Sequence, residues 1–223
     1  MIFSVVMPTF IRTEEHASLV KETIENIKAS SYSYELIIID DGSILPTGFL
    51  RNEADTYIRH NPKNKGIAPS WNDGKNVARG EFVAIINDDI KVPYNWLDSM
   101  ALAFDYSDCA VSLVKEAGPD VTPEQLEGEC EKGFQWPSGY CFMLKKGRFF
   151  EEFDEQFVPY NFEDIDYWER AMKGGWCMYK APLAIWHKEG DTIHSMGYDA
   201  TSEINLQKFI KKHGFSPQTK YFN

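Results

Sequence analysis

The sequence predicts an α/β protein: a single domain built on a mostly parallel central sheet flanked by helices. Short apolar runs such as Leu36–Ile39, within the strand Glu35–Ile39, and Phe82–Ile86 are bounded by polar residues, as suits strands buried on both faces. Segments with apolar residues at helical spacing lie between them, and strand alternating with helix implies parallel strands joined by right-handed crossovers. Acids also collect where the runs end, in Asp40-Asp41-Gly42-Ser43 and Asn87-Asp88-Asp89. Open parallel sheets bind ligands beyond the carboxyl ends of their strands, so these two stations are expected to converge.

Taken in order, Phe3–Met7 reads as the first strand, broken by Pro8-Thr9. Thr13 can cap a helix with Glu14 and Glu15 in its first turn, where the helix dipole favours acids, and with a buried stripe of Leu19, Val20, Ile24 and Ile27. Glu35–Ile39 is the second strand, closed by a turn sequence, and Thr56–Arg59 a third. A short helix is expected within Pro69–Arg79, ahead of the strand Phe82–Ile86. Pro93–Tyr106 is amphipathic, with Trp96, Met100 and Phe104 spaced by four, and Cys109–Val114 is another strand. Lys115–Gly133, with Pro119, Pro123 and five glutamates, reads as a surface excursion. Beyond it come a strand at Tyr140–Leu144, a helix from near Phe162, and one or two short strands in Met178–Trp186 broken by Pro182. A helix over Ser202–Lys212 follows, with Ile204, Phe209 and Ile210 as its apolar residues.

A chain of 223 residues with 43% hydrophobic and 14% aromatic residues can bury a real core. No stretch approaches the roughly 20 apolar residues of a membrane span. The first residues lack a basic region and run directly into a strand, which argues against a cleaved signal. Cys109, Cys130, Cys141 and Cys177 form no C-x-x-C pair and read as reduced thiols of a cytoplasmic chain. A formal net charge of -11 without a basic cluster disfavours nucleic acid and anionic membrane as main partners. It also means that a phosphate-bearing substrate needs local neutralisation. Two adjacent carboxylates such as Asp88 and Asp89 repel each other unless a cation joins them, so a divalent-metal site is the first hypothesis for that strand end. A plain acidic turn is the alternative.

A third acidic station, Glu163-Asp164, opens the helix near Phe162. With it, a series of fragments falls into a known order: Val5-Val6-Met7-Pro8-Thr9-Phe10, Ile37-Ile38-Ile39-Asp40-Asp41-Gly42-Ser43, and Asn64-Lys65-Gly66 leading to Asn72. Ala78-Arg79-Gly80-Glu81-Phe82-Val83, Asn87-Asp88-Asp89 and Phe153-Asp154-Glu155 follow. Glu163-Asp164-Ile165-Asp166 with Arg170, Gly175-Trp176, and Trp186-His187 with Gly190 and Thr192 complete the set. In this order the chain resembles the family 2 glycosyltransferases of the GT-A fold, inverting enzymes that use a metal ion and a nucleotide-diphosphate sugar. Its later fragments resemble the rhamnosyl- and galactofuranosyl-transferring branches.

The resemblance implies a nucleotide-binding half over residues 1–114 and an acceptor and catalytic half over 134–223. Asp41 would accept the imide N–H of a uracil or thymine base, with Pro8 and Thr9 lining the ring, in keeping with a UDP- or dTDP-sugar donor. Asn64 and Asn72 would contact base or ribose, or fix the loop between them. Asp88 would meet the ribose or stand behind the metal. Asp89 and His187 would hold Mn²⁺ or Mg²⁺ together with diphosphate oxygens. Asp164 would be the base that deprotonates the acceptor hydroxyl, with Glu163 orienting the acceptor. Asp166 and Arg170 make an ordinary i,i+4 ion pair. Trp136, Tyr140, Tyr160 and Phe162 are candidates to stack on sugar faces, with core burial as the alternative and the favoured one for Trp168. The acceptor would be a glycan, a small molecule or a lipid-linked sugar.

Rival readings fit less well. Gly74-Lys75 lacks the glycine spacing and the Ser or Thr of a phosphate-binding loop, and no G-x-G-x-x-G follows the first strand. The glycine-rich arginine loop of nucleotidyltransferases is missing too. A catalytically silent sugar-nucleotide-binding module or scaffold on the same fold is the remaining alternative.

Overall fold

The computed structural model describes residues 2–30, 33–61, 63–117, 122–133, 139–188 and 198–221. Four parallel strands make one side of its sheet: β1 (Phe3–Thr9), β2 (Tyr34–Asp40), β3 (Thr56–Arg59) and β4 (Phe82–Ile86). Side chains alternate along them with period two. Val5, Met7, Leu36 and Ile38 face a core under helix α1 (Glu14–Ala29), α2 (Gly48–Glu53) and α4 (Trp96–Ala101). Val6, Ile37, Ile39, Val83 and Ile85 face the opposite core, under α3 (Ile67–Val77) and α5 (Glu163–Lys173). The expected cap forms, with the Thr13 hydroxyl accepting from the His16 amide at 3.1 Å, and Trp96, Met100 and Phe104 are all buried.

The other side of the sheet is mixed. β9 (Cys141–Lys145) inserts antiparallel between β4 and β6 (Cys109–Ala117), and β10 (Cys177–His187) runs parallel to β6. The short β5 (Ile90–Lys91) pairs antiparallel with the end of β10, so the order is β3-β2-β1-β4-β9-β6-β10-β5.

Several expectations change at this level. Pro8 does not end β1, because pairing with β4 stops at Val6 and the missing N–H falls on an open edge. Met178–Trp186 is one strand, and Pro182 is absorbed by a register shift between Lys180 and Ala184. α3 starts at Ile67, ahead of Pro69, since a proline in the first turn removes no intrahelical hydrogen bond. The start of the excursion, Lys115–Ala117, continues β6. Within the remainder, β7 (Glu124–Gln125) and β8 (Glu131–Lys132) clip antiparallel onto β10 with their side chains in solvent. The C-terminal helix α6 (Tyr198–His213) buries Phe209 and, unexpectedly, Asn205, while Ile204 is 57% exposed. A short α7 (Pro217–Tyr221) follows. Trp136, Gly190, Thr192 and the middle of the excursion lie outside the described residues.

Candidate active site

The first two acidic stations meet through Thr9. At the carboxyl end of β1 its carbonyl accepts from the Asp41 amide at 2.8 Å, and its hydroxyl donates to Asp88 Oδ2. Pro8, Thr9, Asp41 and Asp88 therefore share one sheet edge, as parallel strands require. Within the first station the two aspartates differ in task. Asp40 is fully buried and accepts from Tyr57 Oη at 2.6 Å, Thr47 Oγ1 at 2.7 Å, Arg59 at 2.7 Å and the Ser43 amide at 2.8 Å. Burial alone would raise its pKa, but the hydrogen bonds from Tyr57, Ser43 and Thr47 outweigh it and hold the carboxyl below its ordinary range. Asp41 accepts from the amides of Lys65 at 2.7 Å and Gly66 at 2.9 Å, and lies 2.7 Å from His60 Nδ1. It thereby anchors the loop that carries Asn64. Asn72 is buried in α3 and clamps Phe153 from both sides, Nδ2 to its carbonyl at 2.9 Å and Oδ1 from its amide at 2.8 Å.

At the end of β4, the antiparallel pairing of His187 with Ile90 sets the imidazole beside Asp89. Nε2 lies 3.2 Å from Asp89 Oδ1 and 3.3 Å from Asn87 Nδ2, and the ring stacks on Tyr140 with centroids 4.5 Å apart. Asp89 Oδ1 is buried and receives no hydrogen bond, a costly arrangement for a carboxylate oxygen and one that a cation would relieve. Among the described residues no group of three His, Cys, Asp or Glu side chains gathers around one point. Asp89 and His187 could offer a cation one carboxylate and one imidazole, a pair that suits a hard or borderline divalent ion completed by substrate oxygens and water.

The third station is reached through Gly139 and Tyr140, adjacent residues ahead of β9. The Tyr140 carbonyl accepts from the Asn87 amide at 2.7 Å, while a Cβ on Gly139 would stand 3.0 Å from Asp164 Oδ2 and 2.9 Å from the Trp71 ring. Asp89, His187 and Asp164 are therefore joined across a single dipeptide. Glu163 is buried at the start of α5, and its Oε2 has no hydrogen-bond partner. Burial and the neighbouring Asp164 raise its pKa well above the ordinary carboxylate range. Burial also pushes Asp164 up, to about 6, against the pull of backbone donors such as the Ile165 amide at 2.7 Å. Desolvation thus overrides the helix dipole that would favour the ionised form.

The sequence did not point to His60, between Asp41 and Asp73 at 2.7 Å from each, or to His16, 3.1 Å from Asp88 Oδ2. No short motif marks a histidine that meets its carboxylate only after the chain has folded. Tyr140 and Trp168 are core residues, whereas Tyr160 and Phe162 are half-buried beside Glu163. Arg170 Nε pairs with Asp166 at 2.9 Å, as spaced, and Lys212 and His213 join the same carboxylate at 2.6 Å and 2.8 Å.

A family model described as Glycosyl transferase family 2 matches residues 4–157. The chain belongs to glycosyl transferase family 2. Among characterised members it is similar to the glucosyl-dolichyl phosphate glucuronosyltransferase of Haloferax volcanii, 27% identical over 144 residues, covering 62% of this chain and 45% of that protein. It is also similar to the glycosyltransferase GlyG of Streptococcus pneumoniae, 28% identical over 110 residues, covering 44% and 34%. The family 2 chain thus spans under half the length of these relatives. Its fold is that of GalNAc-T7, solved with UDP, GalNAc and Mn²⁺, at a TM-score of 0.71 and 13% identity, covering 94% of this chain and 48% of that one. S. aureus TarS 1-349 in complex with UDP-GlcNAc aligns at 0.63 and 16%, covering 94% and 67%. The GT-A-like architecture is thereby established, and the rhamnosyl or galactofuranosyl branch finds no counterpart among these relatives. Among the described residues no helix is long and apolar enough to cross a membrane.

Proposed function

We propose that this family 2 chain transfers a sugar from a UDP- or dTDP-sugar to an acceptor hydroxyl, with inversion at the anomeric carbon and with Mn²⁺ or Mg²⁺ bound. The observation that supports the reading is the junction at Gly139-Tyr140, whose two residues touch His187 on one side and Asp164, with its raised carboxyl, on the other. Transfer needs charge neutralisation at the leaving diphosphate and proton removal at the acceptor, side by side.

Asp89 and His187 are the residues that hold the cation, which when bound supplies charge neutralisation on the departing diphosphate. Asp88, braced by Thr9 and His16, faces the donor from the same strand end. Asp41 shapes the donor loop through the Lys65 and Gly66 amides and takes the imide N–H with its remaining acceptor capacity. Asp164 takes the acceptor proton, and a carboxyl near 6 is ionised at neutral pH while staying more basic than an ordinary aspartate. Glu163 orients the acceptor beside it. In this reading residues 1–114 bind the donor and 134–223 the acceptor. The name of the Haloferax relative makes a lipid-linked acceptor the first class to try.

Calorimetric titration with UDP, dTDP, GDP and their sugar conjugates, with Mn²⁺ and with chelator, tests the donor side. Binding of one nucleotide that disappears with chelator is expected. Binding without transfer to any acceptor, unaltered in Asp164→Asn, would instead favour a silent sugar-nucleotide-binding module.

A further inference from the structure

We propose that Asn205, with Ser202 and Phe209 on the same face of α6, is a positioning residue for Asp164, setting the loop that delivers the Glu163-Asp164 pair. The inference rests on the role given above to Asp164. Residues 202, 205 and 209 are spaced three and four apart and therefore share one side of the helix. Each holds a different part of the segment that enters α5. The Asn205 amide group donates to the carbonyls of Phe157 at 2.9 Å and Tyr160 at 2.7 Å and lies 3.5 Å from that of Val158. The Ser202 hydroxyl accepts from Asn161 Nδ2 at 2.7 Å, and the Phe209 ring packs on Phe162 with centroids 5.9 Å apart.

Asn205 is completely buried, and its carbonyl oxygen is itself held by Lys208 Nζ at 2.8 Å. A completely buried polar side chain is expensive unless every group is used, and here the use is to hold the backbone carbonyls of Phe157–Tyr160.

The loop needs holding. Asn161 and Phe162 have φ of 75° and 74°, left-handed conformations that side chains rarely adopt and that a bulky phenylalanine adopts only under constraint. Phe162 immediately precedes Glu163, so relaxation at either residue would re-aim the first turn of α5. On its other side the loop touches the donor loop. The Ile67 amide donates to the Pro159 carbonyl at 2.8 Å, and a Cβ on Gly66 would stand 2.8 Å from the same oxygen. The loop is thus pinned between the segment anchored by Asp41 and the face of α6.

The test is Asn205→Ala and Ser202→Ala, assayed for transfer and for nucleotide binding beside Asp164→Asn. Misplacing a reacting group by about 1 Å costs on the order of 100-fold, so Asn205→Ala should lower kcat by about 30- to 100-fold. Donor KM and UDP affinity should stay within about threefold, since an interaction felt only at the reacting centre separates kcat from binding. Ser202→Ala, a milder loss, should lower kcat by about 3- to 10-fold with the same split, and it decides the matter where Asn205→Ala does not fold. Unchanged kcat in the folded variants, or equal losses in kcat and UDP affinity, overturns the inference. The two readings fail separately. Wild-type transfer by Asp164→Asn removes Asp164 from the reaction, whereas loss in Asp164→Asn with full kcat in the α6 variants removes only the positioning role.

Discussion

The carboxylates at the end of β2 and those at the start of α5 are both buried acids on one chain, and the fold surrounds them differently. Asp40 is surrounded by four donors and Asp41 by two backbone amides and an imidazole, so their charge is satisfied by the fold. Glu163 has a buried oxygen with no donor, and Asp164 is pushed to about 6. The difference teaches that an acidic station is read by what its oxygens already hold. Asp40 spends its acceptors on a loop, Asp41 keeps only part of its capacity for a substrate, and the undonated Glu163 oxygen is open to a proton.

The sharpest way to break the comparison is to neutralise one member on each side. Asp164→Asn should lower transfer by at least about 1,000-fold, the scale expected when a positioned general base is lost, while leaving UDP affinity within about twofold. Wild-type kcat/KM should fall as pH drops below about 6, where Asp164 takes up a proton, and the limb should be missing from any residual activity of the variant. A wild-type profile flat through pH 6 would detach the reaction from this carboxyl.

Asp89→Ala acts on the remaining station, at the end of β4. Removing the carboxylate that faces His187 at 3.2 Å should weaken UDP binding by about 10- to 100-fold and abolish its sensitivity to chelator. Retained, chelator-sensitive binding would show that the cation is held elsewhere. Asp40→Ala should leave chemistry alone and cost about 3 kcal/mol of stability, because Arg59, Tyr57 and Thr47 lose their common acceptor. Urea unfolding reads that loss directly, and a midpoint shift worth under about 1 kcal/mol would mean that water replaces the carboxylate.

The same contrast explains what the sequence made legible. In the donor half the apolar runs, turn residues and acids are contiguous, and parallel pairing brings their ends together without further information, so β1 to β4 and the meeting of Asp41 with Asp88 follow from pattern alone. In the other half the decisive contacts join residues far apart in sequence. Pairing of His187 with Ile90, the approach of Gly139 to Asp164, and Asn205 beneath the Phe157–Tyr160 loop leave no local trace. Asn205 is buried in its helix while its apolar neighbour Ile204 is exposed. Periodicity locates a face but does not reveal that the face covers backbone carbonyls, which call for an amide rather than an apolar side chain.

The smallest expected effect tests the unsatisfied state itself. Glu163 is held above its unfolded-state pKa by burial and by Asp164, so the native protein binds more protons than the unfolded chain between the two values. Stability therefore falls as pH rises through that window and stays lowered above it. Glu163→Gln copies the protonated form and removes the charge. It should stabilise the protein by on the order of 1 kcal/mol at pH 8 and by nothing measurable at pH 4. Thermal unfolding of the two proteins at both pH values checks it. A variant less stable than wild type at pH 8 would mean that the charged carboxylate is satisfied in the fold after all, as Asp40 is, and the distinction between the two stations would fail at Glu163.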